Sequence, residues 1–324
     1  MKISRERLMD EAGRTSFRPD TLEKVIRLFA LLGSLRSHPY LRDRLVLKGG
    51  TALNLFYLNV PRLSVDIDLN YIGAVDRARM LEERAPVDQA VQAVCAREDF
   101  EVRHTPGDEH AGGKWSLRYE SALGQRGNLE IDLNFMFRVQ LWQARTMDSR
   151  PLGSYMARDI YVQDIHELAA GKLAAFMARG TPRDLFDVRE IFRLGGFDKA
   201  SLRIAFVVYG AMNRKDWRLI SPDDITIDTV AVQSQLIPLL PAAVAGDREA
   251  AASLGAELRE ACRQALSAVF PFSESETDFL DAILERGEIE PALLTPDADL
   301  QARIKAHPML EWKARNVRSF KGID

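Results

Sequence analysis

The sequence predicts a chain of the α/β (α+β) class, with a mixed sheet in residues 1–150 and a helical half in residues 151–324. Three observations carry this. A short apolar run, Leu45-Val46-Leu47, leads directly into Lys48-Gly49-Gly50-Thr51 and then a helical stretch from Ala52 to Tyr57, giving a strand, a glycine turn and a helix in succession. Two later segments, Leu63 to Tyr71 and Leu129 to Phe137, alternate acidic or polar with apolar residues at a period of two, which marks strands with one acidic face. Beyond Pro151 the apolar spacing becomes helical and stays so to the end.

Taken in order, Pro19-Asp20-Thr21 starts a helix over residues 18–35, in which Leu22, Val25, Ile26, Leu28, Phe29 and Leu32 recur at helical, core-facing spacing. A helix is expected over Arg77–Arg97. Strands are expected over Phe100–His104 and Lys114–Tyr119, separated by a loop with Pro106, Gly107, Gly112 and Gly113. In the second half, Asp164 and Glu167 are spaced as a capping box for a helix running to Ala178. Thr181-Pro182 opens the next helix, and Gly195-Gly196 stops it after Leu194. A polar loop over 221–228 and an alanine-rich stretch over 242–252 interrupt the remainder.

Composition bounds the function classes. The 324 residues are 46% hydrophobic and 28% charged, enough for one large domain or two ordinary ones. A net charge of −3 gives no long-range attraction to nucleic acid, so a polyanion has to be held by a local patch. Cys95 and Cys262 are far apart and lack metal-type spacing, which argues for a reducing compartment and against a disulfide framework or a zinc site. With no apolar leader and no apolar run of spanning length, the expectation is a cytoplasmic protein without a membrane segment.

The chemistry sits in two motifs. Asp66 and Asp68, two apart on a strand, point the same way with α-carbons roughly 6.5 to 7 Å apart, so both carboxylates reach one face. Such a pair suits Mg²⁺, with Mn²⁺ as the alternative, because hard oxygen ligands leave room for water and substrate phosphates. Asp132, on the second alternating strand, is the candidate third ligand or the base for an attacking hydroxyl. An isolated Asp-x-Asp is usually only a solvated strand face. The glycine turn changes that reading: Gly49 and Gly50 let the backbone approach a triphosphate, with Lys48 and the Thr51 hydroxyl beside them.

Lys48-Gly49-Gly50-Thr51-Ala52-Leu53 followed by Arg62-Leu63-Ser64-Val65-Asp66-Ile67-Asp68-Leu69 resembles the AbiEii/MenT group of nucleotidyltransferase toxins, in the DNA polymerase β-like superfamily. The resemblance extends to Lys172, to Arg183-Asp184 and Asp187, and to a closing segment, His307-Pro308 to Trp312-Lys313 and Asn316. It implies a polymerase β-like nucleotidyltransferase core, Ser64 and Asp66 at the catalytic centre, and Asp68 as companion metal ligand. Lys172 is implied to hold the NTP triphosphate, with Asp187 placed to orient that lysine or the incoming hydroxyl. Arg183 and Asp184 would serve nucleotide binding, although Asp184 also suits the first turn of a helix electrostatically.

The resemblance further implies a type IV toxin that adds a nucleoside monophosphate to a tRNA 3′ end, opposed by a cognate antitoxin of winged-helix type. A monomer is expected. A small molecule or a protein hydroxyl is the alternative acceptor, and an NTP-binding regulator without turnover the alternative class. Lys313, Arg315, Arg318 and Lys321, with Trp312 among them, form a basic and aromatic tail suited to holding RNA; a solvated helix end with a core Trp312 is the plainer reading.

Overall fold

The computed structural model describes residues 3–105, 107, 111–242 and 248–323. Part of the loop expected around Pro106 and part of the alanine-rich stretch lie outside the described residues. The chain divides into two compact units. The first takes 1–138, 144–163 and 234–247; the second takes 139–143, 164–233 and 248–324. The sequence places a single boundary at 150/151, but the strand after it belongs to the first unit, and the segment from 234 returns there, where the Leu239 carbonyl accepts from the Leu63 N–H.

The first unit opens with helices α1 (Arg5–Thr15) and α2 (Pro19–Ser37). Pro19 occupies the first turn of α2, where its missing N–H costs nothing. Strand β1 (Leu45–Lys48) runs into helix α3 (Gly49–Ala52), which continues as a π-helical turn over Leu53–Tyr57. Next come β2 (Asp66–Tyr71), α4 (Arg77–Arg97), β3 (Glu101–His104), β4 (Gly112–Glu120), β5 (Arg126–Asn134), β6 (Arg145–Met147) and β7 (Ile160–Val162). Among the described residues these strands form one mixed sheet in the order β3-β4-β5-β2-β1-β7-β6. The β2–β5 and β1–β7 pairs are parallel and the others antiparallel.

Alternation decides which face is wet. Leu45, Leu47 and Leu69 turn to Leu32 and Leu35 of α2, and Ile67, Ile131 and Leu133 are buried with them. Asp66, Asp68 and Asp132 therefore share the other face. Two expected limits are corrected. β2 begins at Asp66, not at Leu63, because the Leu63 N–H bonds outside the ladder and Ser64 packs against Thr51. β5 ends at Asn134, whose side chain accepts the N–H groups of Met136 and Phe137 and turns the chain.

The second unit is helical: α5 (Ile165–Arg179), α6 (Pro182–Leu194), α7 (Lys199–Ala211), the short α8 (Thr229–Ala231), α9 (Arg248–Leu266), α10 (Glu274–Asp281), α11 (Ala298–Lys305) and α12 (Pro308–Lys321). α5 packs on α6 and α7, and α6 on α9. Trp217 is wholly buried against Phe206, whose ring also meets Phe270 and Phe272. Among the described residues no helix is long and apolar enough to cross a membrane. Both cysteines are buried free thiols, their pKa pushed up by burial to about 12.

Candidate active site

Strand register builds the acidic centre. Lys48 on β1 lies opposite Asp68 on β2, Asp68 opposite Asp132 on β5, and Asp132 opposite Lys114 on β4. The neighbouring row holds Asp66, Glu130 and Ser116. Adjacent strands lie about 4.8 Å apart, so four carboxylates crowd one patch between two ammonium groups. Burial raises the pKa of Asp132. Lys48 and Lys114 counter that rise, while Asp68 and Glu130 reinforce it, and the net direction is upward.

The patch thus carries two more negative than positive charges, which a divalent cation would balance. Among the described residues no group of three or more His, Cys, Asp or Glu is gathered tightly enough to enclose a metal unaided. A cation here would complete its shell with water and substrate phosphates, as Mg²⁺ ordinarily does. Asn70, next on the same face, is fully buried, and neither its amide nitrogen nor its oxygen has a hydrogen-bond partner among the described residues, so this edge of the patch also favours a polar guest.

Gly49 fits the turn to the acids. Its φ is +72°, and a Cβ placed there would stand 2.1 Å from an Asp68 carboxylate oxygen. The backbone of the turn therefore lies directly against that carboxylate. Gly49→Ala is expected to cost about 1–2 kcal/mol from the left-handed backbone alone and to displace Asp68. A lowered melting temperature with transfer down by more than tenfold is the expected result, and wild-type turnover would show that the close approach is dispensable.

Thr51 and Ser64 have different places from those expected. Thr51 is wholly buried, and its hydroxyl donates to the main-chain oxygen of Asp66 and lies 3.0 Å from Ser64 Oγ. These hydroxyls anchor the turn to the start of β2, so Thr51 is spent inside the fold instead of facing a phosphate. Ser64 is buried and precedes the strand, so it does not share the exposed face of Asp66 and Asp68. Gly50 is buried, with its carbonyl accepting from the Asn54 side chain. Lys48 Nζ sits 5.6 Å from the Phe137 ring centroid, a cation–π distance that steadies it beside the acids.

In the second unit, Thr181 caps α6 by accepting from the Asp184 N–H. Lys172 on α5 reaches two buried carboxylates of α6, Asp184 at 3.1 Å and Asp187 at 2.8 Å. Arg179 holds Asp184 through two N–H···O bonds of 2.8 and 3.2 Å, and Thr181 adds its hydroxyl. Burial alone would raise the Asp184 pKa; Lys172, Arg179 and Thr181 more than reverse this and hold the carboxyl well below the usual range. Asp184 is thus far more than a helix-end charge. Arg183 is half-buried in the same turn. Arg179 and Thr181 have no sequence signature beyond a helix end and a cap, and Lys114 and Glu130 become site residues only through strand pairing.

Glu167, on the same helix as Lys172, is wholly buried and accepts from the Trp142 N–H and the Tyr209 hydroxyl. Burial drives its pKa up to about 7, against those hydrogen bonds. A carboxyl raised on folding imposes no penalty below the unfolded pKa near 4.3, and stability falls as pH rises from there to about 7. Melting temperature should decline across that window and level off above it, with a flatter profile in Glu167→Gln; parallel profiles would remove Glu167 as the cause.

The basic tail is largely committed within the fold. Lys313 donates to the Asn213 carbonyl and Arg318 to the Gly287 carbonyl, and Lys321 pairs with Glu285. Trp312 is about half exposed, not a core residue. His307 is buried and caps α12.

A mixed sheet with a glycine turn seated against paired acidic strands is the architecture of a nucleotidyltransferase. The chain belongs to the AbiEii nucleotidyltransferase toxin family of type IV toxin–antitoxin systems, whose family model matches residues 30–285. Among solved structures it is similar to MenT4, a nucleotidyltransferase toxin from Mycobacterium tuberculosis H37Rv, over 98% of this chain and 99% of that one, with a TM-score of 0.54 and 19% identity. That likeness shows the fold. No curated protein matches the chain.

Proposed function

We propose that this chain is a metal-dependent nucleotidyltransferase that moves a nucleoside monophosphate from an NTP to an RNA hydroxyl, the tRNA 3′ end being the acceptor whose loss would block translation. The observation that carries this reading is the row Lys48, Asp68, Asp132, Lys114 across four strands, with the Gly49 backbone against Asp68. Asp66 and Asp68, with Asp132 beside them, are the residues that would hold Mg²⁺ or Mn²⁺. When bound, such an ion supplies charge neutralisation for the triphosphate and for the departing pyrophosphate.

The chain's own groups do the rest. Lys48 and the glycine turn receive phosphate oxygens through an ammonium group and close backbone approach. Asp132 takes the proton of the attacking hydroxyl, standing in register beside Asp68. In the second unit, Asp184 and Asp187 hold Lys172 in one rotamer, which prepares it for a phosphate contact at low entropic cost. Arg183 and Asp184 are proposed to serve nucleotide binding. Both substrates are cytoplasmic, and the chain is proposed to act there as a monomer, opposed by an antitoxin of winged-helix type.

Incubation of the protein with Mg²⁺, total tRNA and each α-labelled NTP in turn tests the reading. Label is expected in tRNA with at least one nucleotide. If none of the four labels RNA, the proposal fails; label on a small molecule or a protein in a lysate would assign a different acceptor.

A further inference from the structure

The acidic centre has two unlike flanks. On the β1 side, Lys48 is followed at once by the glycine turn, a compact arrangement of one cation and close backbone. On the β4 side there is no turn but a ladder. Trp115, Leu117 and Tyr119 are buried in the core, so Lys114, Ser116 and Arg118 share the opposite face and step away from the row at roughly 6.5 Å intervals. Lys114 stands opposite Asp132, Ser116 opposite Glu130, and Arg118 between Asn128 of β5 and Glu101 of β3.

Lys114 is not tied down. Its side chain is 59% exposed, and its Nζ lies 3.4 Å from the Glu130 carboxylate, at the long end of an ion pair. Partial burial works against its charge, but Glu130 first, then Asp132 and Asp66, more than offset this and raise its pKa. Such exposed pairs contribute about 0–1 kcal/mol, so the fold gains little from a lysine here. Its partner Glu130 is also about half exposed, and Asn128 and Arg126 further along β5 are exposed as well. A small acceptor would call for enclosure; an open polar ladder of alternating charge leading away from a reactive centre matches a polymer whose end alone must enter.

We propose that the exposed face of β4, formed by Lys114, Ser116 and Arg118, is the track that holds the sugar–phosphate backbone of the acceptor strand and leads its terminal hydroxyl to Asp132. This rests on the RNA-acceptor reading above and adds a polarity to it: triphosphate on the β1 flank, acceptor on the β4 flank. Lys114 and Arg118 contact phosphates, and Ser116 donates to a phosphate or ribose oxygen.

The test separates the two substrates. In steady-state transfer assays, Lys114→Glu and Arg118→Glu should each raise the KM for tRNA at least tenfold and leave the KM for NTP within twofold. The log–log salt dependence of tRNA binding should flatten by roughly 0.7–0.9 for each phosphate that is no longer neutralised. Lys114→Arg and Arg118→Lys should restore most of the affinity, which a packing defect would not allow, and melting curves confirm folding. Unchanged tRNA KM and salt slope overturn the track, as does a rise in the NTP KM instead. A wild-type protein that labels no RNA removes the underlying reading together with the track. Wild-type labelling matched by both charge reversals removes the track alone.

Discussion

Asp66→Asn and Asp68→Asn, each made singly, are expected to lower nucleotidyl transfer by at least about a thousandfold while leaving the melting temperature nearly unchanged. A thousandfold corresponds to about 4 kcal/mol of barrier, the scale of charge stabilisation a catalytic metal provides. Asn keeps the shape and one acceptor oxygen but loses the charge that draws a divalent cation. Stability should hardly move, because both residues are only partly buried and stand in a patch with surplus negative charge. Relief of repulsion there offsets any weakened hydrogen bond. A thermal-shift titration gives a second readout: Mg²⁺ or Mn²⁺ should raise the melting temperature of the wild type and not of either variant. If Asp68→Asn keeps more than a tenth of the rate, Asp68 is not a metal ligand.

Lys172→Met is expected to act first on stability. It leaves Asp184 and Asp187, both essentially buried, without their shared cation. Breaking a buried pair from one side costs about 3–5 kcal/mol, which lowers the melting temperature of a unit this size by roughly 10 °C. Arg179 still holds Asp184. The pH dependence has a definite sign. A carboxyl whose folded pKa is depressed contributes stability above its unfolded pKa near 3.9 and loses it as pH falls, so the wild-type and Lys172→Met curves should converge in acid. Lys172→Met combined with Asp187→Asn should recover part of the loss. Transfer assayed well below the variant's melting point then isolates chemistry. A further fall of about a hundredfold in folded protein supports a phosphate contact, and full activity would reduce Lys172 to a clamp between α5 and α6.

Much of this was legible in the chain alone, for physical reasons that differ by element. α4 and α6 run over the expected residues because caps and stops are local: Thr181-Pro182 and Gly195 bound α6 whatever the tertiary context. Asp66, Asp68 and Asp132 were legible as one acidic face because strand alternation is itself local. Their adjacency was not, since a parallel β2–β5 pair joins residues more than sixty positions apart, and only register puts Lys114 opposite Asp132. The strands β6 and β7 escaped because three residues are too few to show a period. The buried places of Thr51 and Ser64 are not legible, because a hydroxyl that closes a turn and one that meets a phosphate look alike in sequence.

The division of the chain also bears on how such a protein can be altered by recombination. The backbone passes from one unit to the other five times, through short returns such as 139–143 and 234–247. Neither unit is a cassette. A gene fragment ending at Gln163 would carry every acidic strand yet omit Leu239, whose carbonyl accepts from Leu63 just ahead of β2. Exchange of catalytic halves by a single crossover is thereby disfavoured, because no one cut separates the two units.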